Sequence, residues 1–134
     1  MASTAIGRPV LIGTVVLIVI DVIGGVLAVA SGVNTWGEAW GSKALLAAPL
    51  PMMVAQLVLA WLAARNVRPP VGLVSAVLLG VACLVSVISG FFDGGLANEA
   101  LSAGLVAWQV LLLLVTTVVG LLAIARARQL LRGR

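Results

Sequence analysis

Long apolar runs alternate along the chain with short polar breaks. The runs cover residues 10–30, 44–64, 71–92 and 101–125. Each has about 20 residues or more, enough to cross a hydrocarbon core of ~30 Å at ~1.5 Å per residue. A chain in lipid must satisfy its own backbone hydrogen bonds, so an open-ended spanning element has to be a helix. The pattern therefore predicts an all-α membrane protein, a four-transmembrane-helix bundle forming one integral membrane domain over residues 1–134. The breaks at 31–43, 65–70 and 93–100 are marked by glycine, asparagine and proline, as turns require. Pro69 and Pro70 cannot continue the second helix, but either can open the third. Inside the second run, Pro49 and Pro51 remove two backbone donors and predict a bend or an unwound outer half.

Composition agrees: 63% of residues are hydrophobic and 9% charged, with a mean hydropathy of +1.27. These values lie far from the soluble globular range. A net charge of +4 and a pI near 11.3 would suggest nucleic acid in a soluble protein. Here, however, the arginines sit at the ends of apolar runs, so the lipid bilayer is the expected partner and nucleic acid is not. Arg8, Arg65, Arg68, Arg126, Arg128, Arg132 and Arg134 fall on one side of a four-span arrangement, and Lys43, Glu38, Asp93 and Glu99 on the other. Under the positive-inside rule this predicts a multi-pass protein of the cell membrane with both termini cytoplasmic. The basic tail, residues 126–134, is expected to extend the fourth helix along that interface, near anionic headgroups. The first ten residues, MASTAIGRPV, lack an early positive region and an A-x-A cleavage site, so the first run reads as a retained helix.

Candidate chemistry is sparse. There is no histidine and one cysteine, which removes bis-imidazole haem ligation, ordinary zinc sites and a dithiol couple. No metal and no cofactor is expected. Cys83 lies within an apolar run and reads as a small buried thiol. Trp36, Trp40 and Trp61 stand near the ends of runs, where indole rings favour the membrane interface, and Trp108 lies deeper.

The pattern also repeats. Arg8-Pro9 recurs as Arg68-Pro69, 60 positions on; Glu38-Ala39 recurs as Glu99-Ala100 and Ala64-Arg65 as Ala125-Arg126, 61 positions on; and Ser31-Gly32 matches Ser89-Gly90 at 58. Two tandem helical hairpins, about 8–65 and 68–126, would account for this. Both would start on the same side, giving a parallel repeat about an axis along the membrane normal.

Residues 17–25 read LIVIDVIGG. An ionised carboxylate near mid-membrane is costly, so Asp21 should face protein. At helical spacing it shares a face with Thr14, Gly25, Ala28 and Gly32, with Gly24 at the edge; small residues so arranged let another helix approach closely. The third run has a comparable stripe in Gly72, Ala76, Gly80, Cys83, Ser86 and Gly90. The position equivalent to Asp21 falls near Leu79 to Val81, where no acid stands. Polar partners at similar depth are Gln56, Gln109, Thr116 and Thr117. Asp21, Gln56, Gln109 and Thr116 are therefore the candidate ligand- or proton-binding residues, and an amide-to-carboxylate bond between Gln56 and Asp21 is open to either protonation state. Asn34, Glu38, Asp93, Asn98 and Glu99 form a candidate outer mouth, or else ordinary solvated loops with Asn98 and Glu99 starting a helix.

The stretch IDVIGGVLAVASG resembles the first-helix signature of small multidrug resistance transporters. The matching residues are Asp21, Val22, Ile23, Gly24 and Ser31. That family uses glutamate at the first of these, and its aromatic-rich second and third spans have no counterpart here, where tyrosine is absent. The likeness covers about a tenth of the chain and carries no assignment.

Three functions stay open. The first is a non-catalytic bundle, serving as an accessory subunit of a larger membrane complex or binding a lipid-like ligand. The second is a proton- or cation-coupled transporter working as a homo-oligomer, with Asp21 titrating. The third is a membrane-embedded enzyme in which Asp21 works with Glu38, Asp93 or Glu99 as acid and base. Missing catalytic side chains weigh against the last.

Overall fold

The computed structural model describes residues 7–32, 34–38, 50–64, 69–92 and 102–132. They form four helices: α1 (Gly7–Ala30), α2 (Leu50–Ala64), α3 (Pro69–Phe92) and α4 (Ala103–Arg132).

Local chemistry sets the ends. At the end of α1, Gly32 takes φ +80°, a conformation that costs glycine nothing. Its N–H donates to the Val29 carbonyl at 3.1 Å, and the Asn34 N–H reaches the Ala28 carbonyl at 3.1 Å. The last turn thereby recovers acceptors that helix termini leave orphaned. Ser102 caps the start of α4, its hydroxyl accepting from the Leu105 N–H at 3.4 Å and its carbonyl from the Val106 N–H at 2.9 Å. Pro69 and Pro70 occupy the first turn of α3, where a missing N–H leaves no gap in the ladder.

The second span is described only in part. α1, α3 and α4 are long and apolar enough to cross a membrane, and 15 residues of α2 are described, about 22 Å at ~1.5 Å per residue. The described part begins at Leu50 and Pro51, so the bend expected at Pro49 and Pro51 falls at the edge of the described residues. Residues 44–49 of the expected span lie outside the described residues.

The helices pack in a ring in chain order: α1 against α2, α2 against α3, α3 against α4, and α4 back against α1. The α3–α4 seam is the most extensive, whereas α2 and α4 barely meet across the ring. All four helices enter one central core, through Val10 and Leu17 of α1, Ala60 of α2, Leu79 and Cys83 of α3, and Leu112, Val119 and Ala123 of α4.

The small-residue stripes do become seams. Gly24, Gly25 and Ala28 of α1 are buried, as are Gly72, Ala76, Gly80 and Cys83 of α3; Ser86 is half-buried and Gly32 exposed. The tightest approach joins α3 to α4. A Cβ placed on Gly120 would stand 3.1 Å from the Cys83 Cβ and 3.7 Å from the Gly80 carbonyl oxygen.

Polarity runs opposite to that of a soluble bundle. Large apolar side chains point outward from every helix, including Ile12 and Val19, Val54 and Val58, Val85 and Ile88, and Leu114 and Leu121. Thr14, Asp21, Gln56, Gln109 and Thr116 are buried. Only an apolar solvent favours that arrangement. Trp36 and Trp61 are exposed, consistent with anchoring at an interface.

Candidate intramembrane polar site

The site is built from one or two side chains per helix. Asp21 of α1 is 1% exposed, Gln56 of α2 is 1%, Cys83 of α3 is 0% and Thr116 of α4 is 5%. The Gln56 Nε2 donates toward the Cys83 Sγ at 4.0 Å. Asp21 lies near Cys83 in the interior. Cys83, read from sequence as a small buried thiol, thus belongs with the polar side chains of this layer. The Gly120 contact with the Cys83 Cβ places this layer within one helical turn of Thr116.

Hydrogen-bond accounting reveals an imbalance. The Thr14 hydroxyl donates to the Val10 carbonyl at 2.9 Å, Thr116 to Leu112 at 2.7 Å and Thr117 to Leu113 at 2.8 Å. Each hydroxyl proton is therefore used within its own helix, a common habit of threonine in apolar surroundings. The Gln56 Oε1 and the Gln109 Oε1 are enclosed and accept nothing from the described residues. Buried acceptors without a donor are rare in folded proteins, because each has lost its water without replacement. Around Gln56, a donor is missing among the described residues.

Gln109 belongs to a different level. It precedes Thr116 by seven positions on α4, about 10 Å along the axis. Beside it, the Trp108 Nε1 is enclosed and unbonded, while the Trp108 ring packs with Leu27, Ala28, Leu105 and Val106 where α1 meets α4. The polar candidates thus form two layers, with Asp21, Gln56, Cys83 and Thr116 in one and Gln109 in the other.

The candidate mouth is only partly described. Glu38 accepts the Thr35 N–H at 2.9 Å through Oε1, and its own N–H donates to the Thr35 carbonyl at 3.0 Å. That reciprocal pairing is a turn-capping device, so the carboxylate serves the loop. Asn34 is buried at 7% exposure. Asp93, Asn98 and Glu99 lie outside the described residues.

Two buried polar residues were not singled out as such in the sequence, Ser75 at 4% exposure and Arg126. Arg126, expected among the interfacial arginines, is 1% exposed and is the largest fully buried side chain described. Its Nε donates to the Ala63 carbonyl at 2.8 Å and its Nη1 to the Gln129 Oε1 at 2.7 Å. Ala63 lies in the last turn of α2, where carbonyls lack helical partners and attract positive charge. Beside this bond, Ala63, Ala76 and Ala127 pack together. Their small side chains leave room for the long arginine.

Fold and site together define a small polytopic helical membrane protein with an aspartate buried in its interior. Set against protein-family models, curated proteins and solved structures, the chain matches none of them.

Proposed function

We propose that the protein is a non-catalytic intramembrane binding bundle whose Asp21–Gln56 layer receives the polar group of a lipid-like ligand. The observation that carries this reading is the Gln56 Oε1, an enclosed acceptor with no donor among the described residues. The ligand's polar group supplies what the Gln56 layer lacks, an N–H or O–H donor, while its apolar body lies among the aliphatic side chains. The absence of histidine from the sequence favours binding over catalysis. The capped state of Glu38 removes one acid from the pairings an enzyme would need.

A second reading is favoured by the same shortage of donors. A proton or monovalent cation would also satisfy an acceptor-rich layer, making Asp21 the coupling group of a transporter. Four helices enclose little, so that reading needs a homo-oligomer or a larger membrane complex. The cytoplasmic placement of both termini and the descent of the two hairpins from one ancestor belong to this proposal. They are supported by the arginine bias and by the matched spacings.

The test is purification of the full chain in mild detergent, followed by native mass spectrometry. A stoichiometric amphiphile lost in Gln56→Leu and Asp21→Asn supports the binding bundle. A ligand-free oligomer showing cation- or proton-dependent flux supports the second reading. A ligand retained by both variants overturns the assignment of the site.

A further inference from the structure

Adjacent positions of α4 leave two enclosed polar atoms unbonded on the side of that helix that meets α1. The Trp108 Nε1 can only donate and the Gln109 Oε1 can only accept. Neither has a hydrogen-bond partner among the described residues, and Gln109 is 5% exposed. Polar atoms withdrawn from bulk water are nearly always paired in folded proteins, so a neighbouring donor and acceptor that both go unpaired call for a partner.

The register of α1 against α4 fixes what these side chains face. The two helices run antiparallel. Towards one end, a Cβ on Gly13 would meet Val119 and Leu122; towards the other, Ala28 packs with Leu105, Val106 and Trp108. Between those contacts, Gln109 comes level with Gly24 and Gly25. On α4 it lies four positions after Leu105, which packs on Ala28, and three before Leu112, which belongs to the central core. Residues so spaced share a helix face, so the Gln109 side chain points inward. Gly24 and Gly25 are buried and bring no side chain to this level. Their N–H groups are engaged within α1. The glycines therefore leave room opposite Gln109 and offer it no donor.

We propose that the α1–α4 seam at Trp108 and Gln109 is an internal hydration site, holding water that accepts from the Trp108 N–H and donates to the Gln109 Oε1. Water carries both functions in one small molecule, the complement of a lone donor beside a lone acceptor. It needs no open mouth, because waters enclosed in protein interiors are ordinary and gather at polar groups that lack other partners. A lipid hydroxyl has the same chemistry but would have to bring its acyl body through the packed contacts of Leu27, Leu105 and Val106. Polar side chains continue from the site towards one end of the bundle. Asn34, 7% exposed, bonds through its N–H to the carbonyl of the same Ala28 that packs with Trp108. In the other direction Asp21 precedes Gly25 by four positions, about 6 Å along α1. Water held here brings exchangeable protons within about one helical turn of that carboxylate from the Asn34 end. The site does not depend on a ligand in the Asp21–Gln56 layer, and its test is read at a different residue.

The full chain, with isotope-labelled indole nitrogens, is placed in phosphatidylcholine bilayers. That lipid has no O–H or N–H, so water is the only hydroxyl outside the protein. Magnetisation transfer from water to each indole N–H is measured by NMR, and Trp108→Phe identifies the Trp108 signal by its loss. The Trp108 N–H is expected to receive water magnetisation although it is enclosed. Gln109→Leu, which removes the second anchor, weakens that transfer roughly fivefold, the loss of one hydrogen bond. Gly25→Ala, whose methyl enters the same space, weakens it as well. If one variant does not fold, the other and the wild-type signal decide. A wild-type Trp108 N–H that receives nothing from water, or that bonds the Gln109 side chain directly, overturns the proposal. So does transfer left unchanged in folded Gln109→Leu protein.

Discussion

The Gln56 amide nitrogen of α2 stands 4.0 Å from the Cys83 sulfur of α3, both fully enclosed. A sulfur is a weak acceptor, so this contact recovers little of what the amide loses on leaving water. With its oxygen unbonded as well, Gln56 costs the fold stability.

Replacing that amide with an apolar group of similar size should therefore not harm folding. Gln56→Leu is expected to leave the thermal unfolding midpoint in detergent unchanged or higher, because removing an unsatisfied polar group is neutral or stabilising. A fall equivalent to more than about 1 kcal/mol would mean that Gln56 has better partners than this geometry provides.

Two glycines of one seam should respond differently. A Cβ on Gly120 meets the Cys83 Cβ at 3.1 Å, an atom fixed to backbone; a Cβ on Gly80 meets the Ile124 Cδ1 at 2.6 Å and Cγ1 at 3.1 Å, the outer part of a side chain. Gly120→Ala is expected to cost about 1–3 kcal/mol. Cys83→Ala, which keeps the clashing carbon, should not rescue it. Gly80→Ala should be recovered in large part by Ile124→Ala, which removes both Cδ1 and Cγ1. Equal rescue of both, read from unfolding midpoints, would misplace the seam.

The Thr116 hydroxyl donates 2.7 Å to its own helix at Leu112. Thr116→Val should change stability by less than about 1 kcal/mol. A larger loss in unfolding experiments would show that the hydroxyl also holds a neighbouring helix.

Arg126 ties α4 to the last turn of α2 through the Ala63 carbonyl. Arg126→Leu should cost about 1.5–3 kcal/mol, the range for a hydrogen bond from a charged donor. Hydrogen exchange should rise first in the last turn of α2. Unchanged protection around Ala63 would remove the strap.

Some of this was legible in the sequence and some was not, for physical reasons. Polar residues inside apolar runs must avoid lipid, so Asp21, Gln56, Gln109 and Thr116 could be placed inward from hydropathy alone. The partner of each depends on helix register, which apolar periodicity leaves loose; this is why Cys83 entered the layer and Gln109 fell about 10 Å away. The second run reads as one uninterrupted segment because proline is itself apolar. Arg126 was hidden for another reason. An arginine at the end of a span reads the same whether it turns to headgroups or back onto a neighbouring helix end. Only the ring packing that brings Ala63 to its level decides between them.

The most direct test of the interior site is a comparison of neighbours on α1. With Cys83 replaced by alanine, nitroxide labels are placed on Asp21→Cys, Val22→Cys and Ile23→Cys in bilayers, and their relaxation by dissolved oxygen is measured. Val22 and Ile23 are 44% and 42% exposed, Asp21 1%. Labels at Val22 and Ile23 should therefore be strongly relaxed and the label at Asp21 weakly. A label at Asp21 relaxed as strongly as its neighbours would turn the carboxylate out to lipid and contradict the account.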